Sequence, residues 1–138
     1  MVSRIFVNLA VKDLPRSIAF FTALGFTFNA QFTDENATCM IVGDNIFVML
    51  LVEGMFQTFT PKPLVDARTA TEVLVALSLE SRAAVDQMVA AAVAAGGRVP
   101  REVQEHGFMY AHAFEDLDGH IWEPFWMAPP PSEAAPTG

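Results

Sequence analysis

The side chains best suited to acid–base or metal chemistry lie in the second half of the chain. Glu123 stands in an apolar, aromatic stretch, and burial there would raise its pKa, the property of a general acid or base. His112 and Tyr110 share a strand face and would converge with Glu123 if that face points inward. Glu123 is thus the candidate catalytic residue, although it could simply accept hydrogen bonds from neighbouring strands. His112 could likewise be a polar residue at a strand surface or in the seam of a dimer.

The single cysteine, Cys39, offers little reactivity. It cannot form an internal disulfide or supply a multi-cysteine metal site. Residues 36–41 around it form an apolar strand pattern, without the base or cation that stabilises a thiolate. The sequence therefore predicts a buried structural thiol.

The charge balance limits the partners of the chain. Eight Lys and Arg stand against 16 Asp and Glu, a net charge of -8, and the basic residues are spaced singly. Such a surface disfavours nucleic acid and anionic membranes and favours cationic ligands. Residues 1–5 enter a strand pattern without the design of a signal peptide, and no apolar run is long enough to span a bilayer. We expect a cytoplasmic protein.

The apolar content exceeds the needs of an ordinary core. Apolar residues make up 52% of the chain, and 12 residues are phenylalanines. The excess predicts a cavity or a subunit interface. Most aromatic residues belong to the core, but we assign Trp122 and Phe125 to a pocket that stacks a planar ligand.

The elements that position these residues occur twice. Segments 6–13 and 74–81 align without a gap, and each is a strand that ends at a helix-capping residue. Asp13, followed by Pro15, marks the start of the first helix, and both helical patterns end at glycine. Three extended stretches follow each helix. Both halves therefore have the order β-α-β-β-β.

This repeat predicts one α+β domain over residues 1–127. The first module covers 4–52 and the second covers 72–127. The linker, 53–71, contains prolines and little periodicity, and it is long enough for a lid or an interface loop. Residues 128–138 are rich in Pro, Ala and Ser and are predicted to be a disordered tail.

Strand alternation separates the two faces of each first strand. One face packs on the helix, so the other presents Phe6 and Asn8 to the concave side. Leu74 takes the place of Phe6 in the second module. The amide of Asn8 can donate to and accept from a ligand, or it can satisfy a backbone group at the strand edge. We count Phe6, Asn8 and Leu74 as pocket residues, together with Met49, Tyr110 and His112.

Two segments of the sequence resemble a known superfamily. Residues 6–13, followed by Ser17, Phe20-Phe21 and Leu24-Gly25-Phe26, and the closing run 114–123, Phe-Glu-Asp-Leu-Asp-Gly-His-Ile-Trp-Glu, resemble the vicinal oxygen chelate superfamily. That superfamily includes glyoxalase I, bleomycin-resistance proteins, extradiol dioxygenases and fosfomycin-resistance enzymes. The closing run is the most specific part and is most similar to small bacterial glyoxalase-like proteins. The resemblance implies two βαβββ modules forming a cupped, incomplete β-barrel, usually a homodimer, with a divalent metal in the enzymes.

The resemblance also implies where metal ligands would stand. The metal enzymes take them from inward positions in the first and last strands of each half, which correspond to Phe6, Met49, Leu74 and Glu123. Phenylalanine and leucine have no lone pair and a thioether suits soft ions, so only Glu123 suits a hard or borderline metal. We expect no cofactor. The alternative is Zn, Ni, Mn or Fe, with Glu123 and His112 as ligands.

Three functions are compatible with the sequence. The first is a metal-free protein that binds a small, partly aromatic or cationic molecule in an apolar cup, as bleomycin-resistance proteins do. The second is a metal-dependent lyase, similar to lactoylglutathione lyase, or a dioxygenase, with non-standard ligands and Glu123 moving a proton. The third is a structural dimerisation module whose inner face is filled by Phe6, Met49 and Leu74. We favour the first.

Overall fold

The chain folds into two βαβββ modules joined by a linker, and in the second module the strand that pairs antiparallel with the last one is broken into two short strands. The computed structural model describes residues 1–129, so positions 130–138 of the predicted tail lie outside the described residues. The elements are β1 (Ile5–Val11), α1 (Leu14–Ala23), β2 (Thr27–Asn29), β3 (Ala37–Gly43), β4 (Ile46–Val52), α2 (Glu53–Gln57), β5 (Leu74–Ser78), α3 (Arg82–Ala94), β6 (Gln104–Glu105), β7 (Met109–Ala111), β8 (Phe114–Glu115) and β9 (Ile121–Met127). The predicted α+β architecture is confirmed.

The two sheets have equivalent topologies. The first has the strand order β1-β4-β3-β2, and the second has the order β5-β9-β7-β6, with β8 paired to β9. In each, the first strand lies at an edge and runs parallel to the last strand of its module. Within residues 1–129 the sheets do not join into a closed barrel, so the barrel is incomplete.

Local sequence explains the two long helices. The Asp13 carboxylate accepts a hydrogen bond from the Arg16 backbone N–H at 3.0 Å and caps α1. Ser81 caps α3 in the same way, through the N–H of Ala84 at 3.0 Å. Among the described residues, no helix is both long and apolar enough to cross a bilayer.

Two predicted strands are shorter than expected. Residues 30–32 form a 3-10 turn capped by Asn29, so β2 ends there. In the stretch 98–105, Pro100 cannot donate to a ladder, and only one bridge at Arg98 precedes the two-residue β6. The linker, in contrast, contains the helix α2, which its sequence pattern does not indicate.

The core lies between each sheet and its helix, and it is continuous across the two modules. Its aromatic centre is Phe21, whose ring contacts Trp122 of the other module at 5.0 Å between centroids. Trp122 in turn stacks parallel to Phe114 at 6.3 Å. The other buried members are Leu9, Val11, Leu14, Phe20, Met40, Val48, Leu50, Leu77, Val89 and Ala92.

The turn that precedes β9 fastens the second module to the first. Asp118 accepts hydrogen bonds from the Lys12 backbone N–H at 2.9 Å and from the Ser17 hydroxyl at 3.4 Å. Asp116 holds the turn itself, because it accepts from the Asp118 N–H and from the Trp122 indole N–H, both at 3.0 Å. Burial raises the pKa of Asp116. The most family-specific run of the sequence is therefore structural.

His120 also links the two modules. Its Nδ1 lies 2.7 Å from the Glu72 carboxylate, and its Nε2 lies 2.7 Å from the Ala10 carbonyl. Burial opposes the imidazolium, but Asp116, the Ala10 carbonyl and Glu72 outweigh burial and raise the pKa of His120. Because both partners are acceptors, the protonated ring satisfies both.

The linker packs against the same turn. Gly119 has a φ of +94°, and a Cβ on it would lie 2.8 Å from backbone atoms of Ala67. Only glycine fits this close approach, which brings linker and turn into contact.

Candidate functional site

The concave face of the first module is aromatic. Parallel pairing of β1 with β4 sets Phe6 beside Phe47 and Asn8 beside Met49. The Phe6 and Phe47 rings stack, with centroids 4.8 Å apart and planes within 16°. Phe6 is 46% exposed, so the stack faces an open space.

That space is a cavity of about 380 Å³, which we call the aromatic cavity. The Arg4 guanidinium lies 5.6 Å from the centre of the Phe6 ring and contributes the positive charge of the rim. The lining residues are Arg4, Phe6, Asn29, Phe32, Cys39, Phe47 and Met49. Of these seven residues, only Phe6 and Met49 are predicted from the sequence to line a pocket. The register of β4 with β1 was the missing signal for Phe47.

Cys39 forms part of this cavity wall without being a nucleophile. Its side chain is buried, and burial raises the pKa of the thiol. The neutral thiol is therefore the form present near neutral pH. Its role is to fill space beside Met49, its partner in the strand pairing.

Asn8 lies at the other end of the same face, under the linker. Helix α2 packs on β1 and β4 and leaves a space of about 290 Å³. Its lining residues are Asn8, Leu51, Phe56, Phe59 and Thr60. Asn8 therefore lies outside the set that lines the aromatic cavity, and the linker supplies one wall of the concave face.

The concave face of the second module is more polar. Pairing of β5 with β9 sets Glu123 beside Ala76, and pairing of β7 with β9 sets Phe125 beside Ala111. Glu123 and Phe125 line a space of about 260 Å³, which we call the polar cavity. Its other lining residues are Ala76, Arg101, Gln104, Met109, Ala111 and Met127. Leu74 is 54% exposed at the edge of this sheet and does not line the polar cavity.

Arg101 pairs with Glu123 in the polar cavity. Its Nη2 donates to Glu123 Oε2 at 2.9 Å, and the side chains are 30% and 23% exposed. Its Nη1 also donates to the Glu102 carbonyl at 3.3 Å. Sequence reasoning missed Arg101, because the two residues are 22 positions apart and Arg101 stands in a stretch without periodicity.

The assignment of Tyr110, His112 and Trp122 to a pocket is wrong. These residues line neither the aromatic cavity nor the polar cavity. Tyr110 pairs with Trp126 on the helix side of the sheet, and its hydroxyl donates to Asp86 of α3 at 2.6 Å. Trp122 is fully buried in the core. The reason is parity: on one strand, residues 122 and 125 cannot face the same side, and Phe125 faces the cavity.

His112 follows the same parity as Tyr110. Its Nδ1 accepts from the Ala113 N–H at 2.9 Å, and burial lowers the pKa of the ring. The convergence of His112 and Tyr110 with Glu123 is therefore wrong, because the three side chains do not share a face of the sheet.

Comparison with known proteins supports the resemblance seen in the sequence. A hypothetical protein from S. aureus of solved structure is 30% identical, with a TM-score of 0.76, over 94% of this chain and 95% of that one. A family profile described as "Bleomycin resistance protein-like N-terminal" matches residues 4–43. The chain has the fold of the vicinal oxygen chelate superfamily, and its first module matches a bleomycin-resistance-like profile.

Further solved structures of the superfamily share the fold. A glyoxalase/bleomycin resistance protein/dioxygenase family enzyme from Burkholderia phytofirmans PsJN is 16% identical, with a TM-score of 0.73, over 88% of this chain and 96% of that one. A glyoxalase-related enzyme from Fulvimarina pelagi is 19% identical, with a TM-score of 0.76, over 91% and 88%. No curated protein matches the chain.

The residues at the four predicted ligand positions do not fit a divalent metal. Met49 pairs with Asn8 as Glu123 pairs with Ala76, so the register makes Met49 and Glu123 equivalent positions of the two modules. With Phe6 and Leu74, the set offers one carboxylate, one thioether and two hydrocarbons. The carboxylate already binds a guanidinium. Within residues 1–129, no three His, Cys, Asp or Glu side chains lie together as a metal site would require.

Proposed function

We propose that the chain binds a small, planar aromatic molecule in its cup without the help of a metal ion. The stacked Phe6 and Phe47 rings, open to the aromatic cavity of about 380 Å³, carry this proposal. Two parallel rings present an apolar surface on which a third ring stacks at an offset, and the cavity has the size of a small-ligand site. Met49 adds a polarizable wall.

The local charge refines the expected ligand. The surface as a whole is acidic, with a net charge of -8, which favours cations. The cavity rim, however, carries the Arg4 guanidinium, and within residues 1–129 no carboxylate forms a salt bridge with Arg4. The proposed ring is therefore neutral or weakly anionic where it meets Arg4.

The two alternatives find less support. A lyase or dioxygenase of this superfamily needs a metal to polarise its substrate, and the four ligand positions hold one carboxylate that is already neutralised by Arg101. A purely structural dimerisation module would fill its inner face with Phe6, Met49 and Leu74. Instead, Phe6 and Met49 line an open cavity, and Leu74 is exposed.

We also propose that the chain acts as a homodimer. Phe6, Leu74 and Met127 are large apolar residues on the cavity sides of the two sheets, with between 46% and 54% of their surface exposed. A second copy of the chain presents a matching apolar surface by two-fold symmetry. Light scattering after size exclusion should give twice the 15.1 kDa of the chain, and a monomer at every concentration would contradict the proposal.

Titration with 2-naphthol, a neutral, fluorescent, planar probe, tests the binding function. Phe47→Ala removes one ring of the stack and should weaken binding about tenfold. Phe108→Ala is the matched control, because Phe108 is a 62% exposed phenylalanine that lines none of the cavities described above, and it should leave the affinity unchanged. Equal affinities for wild type and Phe47→Ala would contradict the proposal.

Metal dependence is tested on the same material. Protein purified without chelator, then offered Zn, Ni, Mn and Fe, should take up no stoichiometric metal, and EDTA should leave 2-naphthol binding unchanged. A fully occupied metal site, or binding lost on chelation, would overturn the metal-independent part of the proposal.

A further inference from the structure

The polar cavity holds a recognition element that the superfamily resemblance does not supply. Glu123 occupies one of the four ligand positions, yet its partner is the Arg101 guanidinium at 2.9 Å. We infer that the Arg101–Glu123 pair recognises a carboxamide group on the ligand, and that the polar cavity is a subsite for an aromatic or apolar primary amide.

The pair has hydrogen-bonding capacity left over. A guanidinium has five N–H donors, and two of its nitrogens make one bond each here, to Glu123 and to the Glu102 carbonyl. Glu123 uses Oε2 for this bond, and no hydrogen bond to Oε1 is found within residues 1–129. A donor and an acceptor thus stand side by side at the wall of the cavity.

The charge of the pair selects a neutral group. A ligand carboxylate would be attracted by Arg101 but repelled by Glu123. A ligand cation would be attracted by Glu123 but repelled by Arg101. A primary amide has no net charge, accepts through its oxygen and donates through its nitrogen. It therefore matches both members at once.

The remaining walls suit an apolar body attached to the amide. Met109, Phe125 and Met127 line the cavity beside the pair, and Gln104 adds a further amide at the wall. Phe125 offers a ring face and the methionines offer polarizable surface. The inference rests on the proposed function, since it extends the binding of small molecules from the aromatic cavity to the polar cavity.

Three probes with one ring and three head groups test it: benzamide, benzoate and benzamidine, which are neutral, anionic and cationic at neutral pH. Each is titrated into the full chain by ligand-observed NMR, because a ligand of this size binds with a dissociation constant on the order of 1 mM. Wild-type chain should bind benzamide tightest, by about fivefold over either ion.

Charge variants should redirect this preference. Glu123→Gln leaves the Arg101 cation uncompensated and should move the preference to benzoate, by about tenfold in the ratio of affinities. Arg101→Gln leaves the carboxylate uncompensated and should move the preference to benzamidine by a similar factor. Both side chains are partly exposed, so both variants should fold. The ratio of probe affinities in either variant is enough to test the inference.

The chain offers a matched control pair on the helix side of the second sheet. Arg82 pairs with Glu105 there, with 42% and 45% of the side chains exposed. Arg82→Gln and Glu105→Gln change the net charge by the same amounts as the test variants, yet should leave the preference for benzamide intact.

Several outcomes would overturn the inference. They are an ionic probe binding wild-type chain tighter than benzamide, an unchanged order in Glu123→Gln and Arg101→Gln, and no binding of any probe up to about 10 mM. The proposed function fails on a different result, the equal affinity of wild type and Phe47→Ala for 2-naphthol, so the two failures are distinguishable.

Discussion

The two modules share a backbone register and differ in what their concave faces carry. Met49 lies beside Asn8 in the first, and Glu123 lies beside Ala76 in the equivalent place of the second. The first face is aromatic and open, whereas the second carries an ion pair. Strand pairing joins backbone atoms and leaves side chains free, so two copies of one fold can acquire different binding chemistry.

The opposite faces of the same strands show the reverse behaviour. Val48 of β4 and Trp122 of β9 are equivalent positions, and both are buried against the helices. These two positions must exclude water, so their residues differ in size but are both apolar. Substitutions on the concave faces are therefore expected to change binding, and substitutions at the buried helix-side positions are expected to change stability.

The largest expected effect separates the two faces of β9. Trp122→Ala removes a fully buried indole and should lower the free energy of unfolding by about 4 kcal/mol. Phe125→Ala, on the cavity side, should cost about 1 kcal/mol, since its ring is only half-buried. Urea denaturation measures both, and equal losses would contradict the assignment of faces.

The next effect concerns the joint between the modules and depends on pH. The folded-state pKa of His120 is raised above its ordinary 6.5, so its contribution is full below pH 6.5 and is lost as pH rises through the folded-state value. His120→Gln should cost about 2 kcal/mol at pH 6, and the decline of stability above pH 6.5 should become shallower.

His112 serves as the control, because its pKa is shifted in the opposite direction from that of His120. Its folded-state pKa is lowered from 6.5 by burial, so its contribution is full above pH 6.5 and is lost as pH falls through the folded-state value. His112→Gln should therefore flatten the profile below pH 6.5 and leave the decline above it. A decline above pH 6.5 that persists unchanged in His120→Gln would refute the role of His120. Urea midpoints across pH 5 to 9 supply the profiles.

A smaller effect follows from giving the second module the residue of the first. Glu123→Met leaves Arg101 partly buried without its partner and should lower the free energy of unfolding by about 1 kcal/mol. Adding Arg101→Met should restore most of that loss, because the uncompensated charge is gone. Thermal and urea unfolding compare the three proteins, and additive losses in the double variant would count against the pair.

The smallest expected effect tests the exposed edge of the second sheet. Leu74→Ala should change the free energy of unfolding of the monomeric chain by less than about 0.5 kcal/mol, since 54% of the side chain is exposed. Leu77→Ala, a buried leucine three positions along β5, should cost about 3 kcal/mol. A large loss at Leu74 would show that this face is covered, within the chain or by a second copy of it.

Some features of the site were predictable from local pattern. Alternation along β1 requires Phe6 to face away from the helix, and the structure places it in the wall of the aromatic cavity. The same rule does not fix the parity of β7, because that strand has only three residues and no strong alternation. Its pairing with β9 turned Tyr110 and His112 toward α3, against the prediction.

Other features depended on residues distant in sequence. Arg101 reaches Glu123 across 22 positions from a stretch without regular periodicity, so no window of sequence links them. Likewise, the carboxylate of Asp118 meets the Lys12 N–H across 106 positions. Such contacts depend on how the modules pack, which repeat patterns do not specify.

The sequence by itself determined the paired modules, their helix starts and the hydrocarbon or thioether character of three of the four ligand positions, because these depend on residue type and on periodicity along the chain. The tertiary structure alone decided which side of β7 faces the cavity, which cation neutralises Glu123 and how the closing turn joins the modules. These depend on strand register and on contacts between distant segments, and both are fixed only when the whole chain is packed.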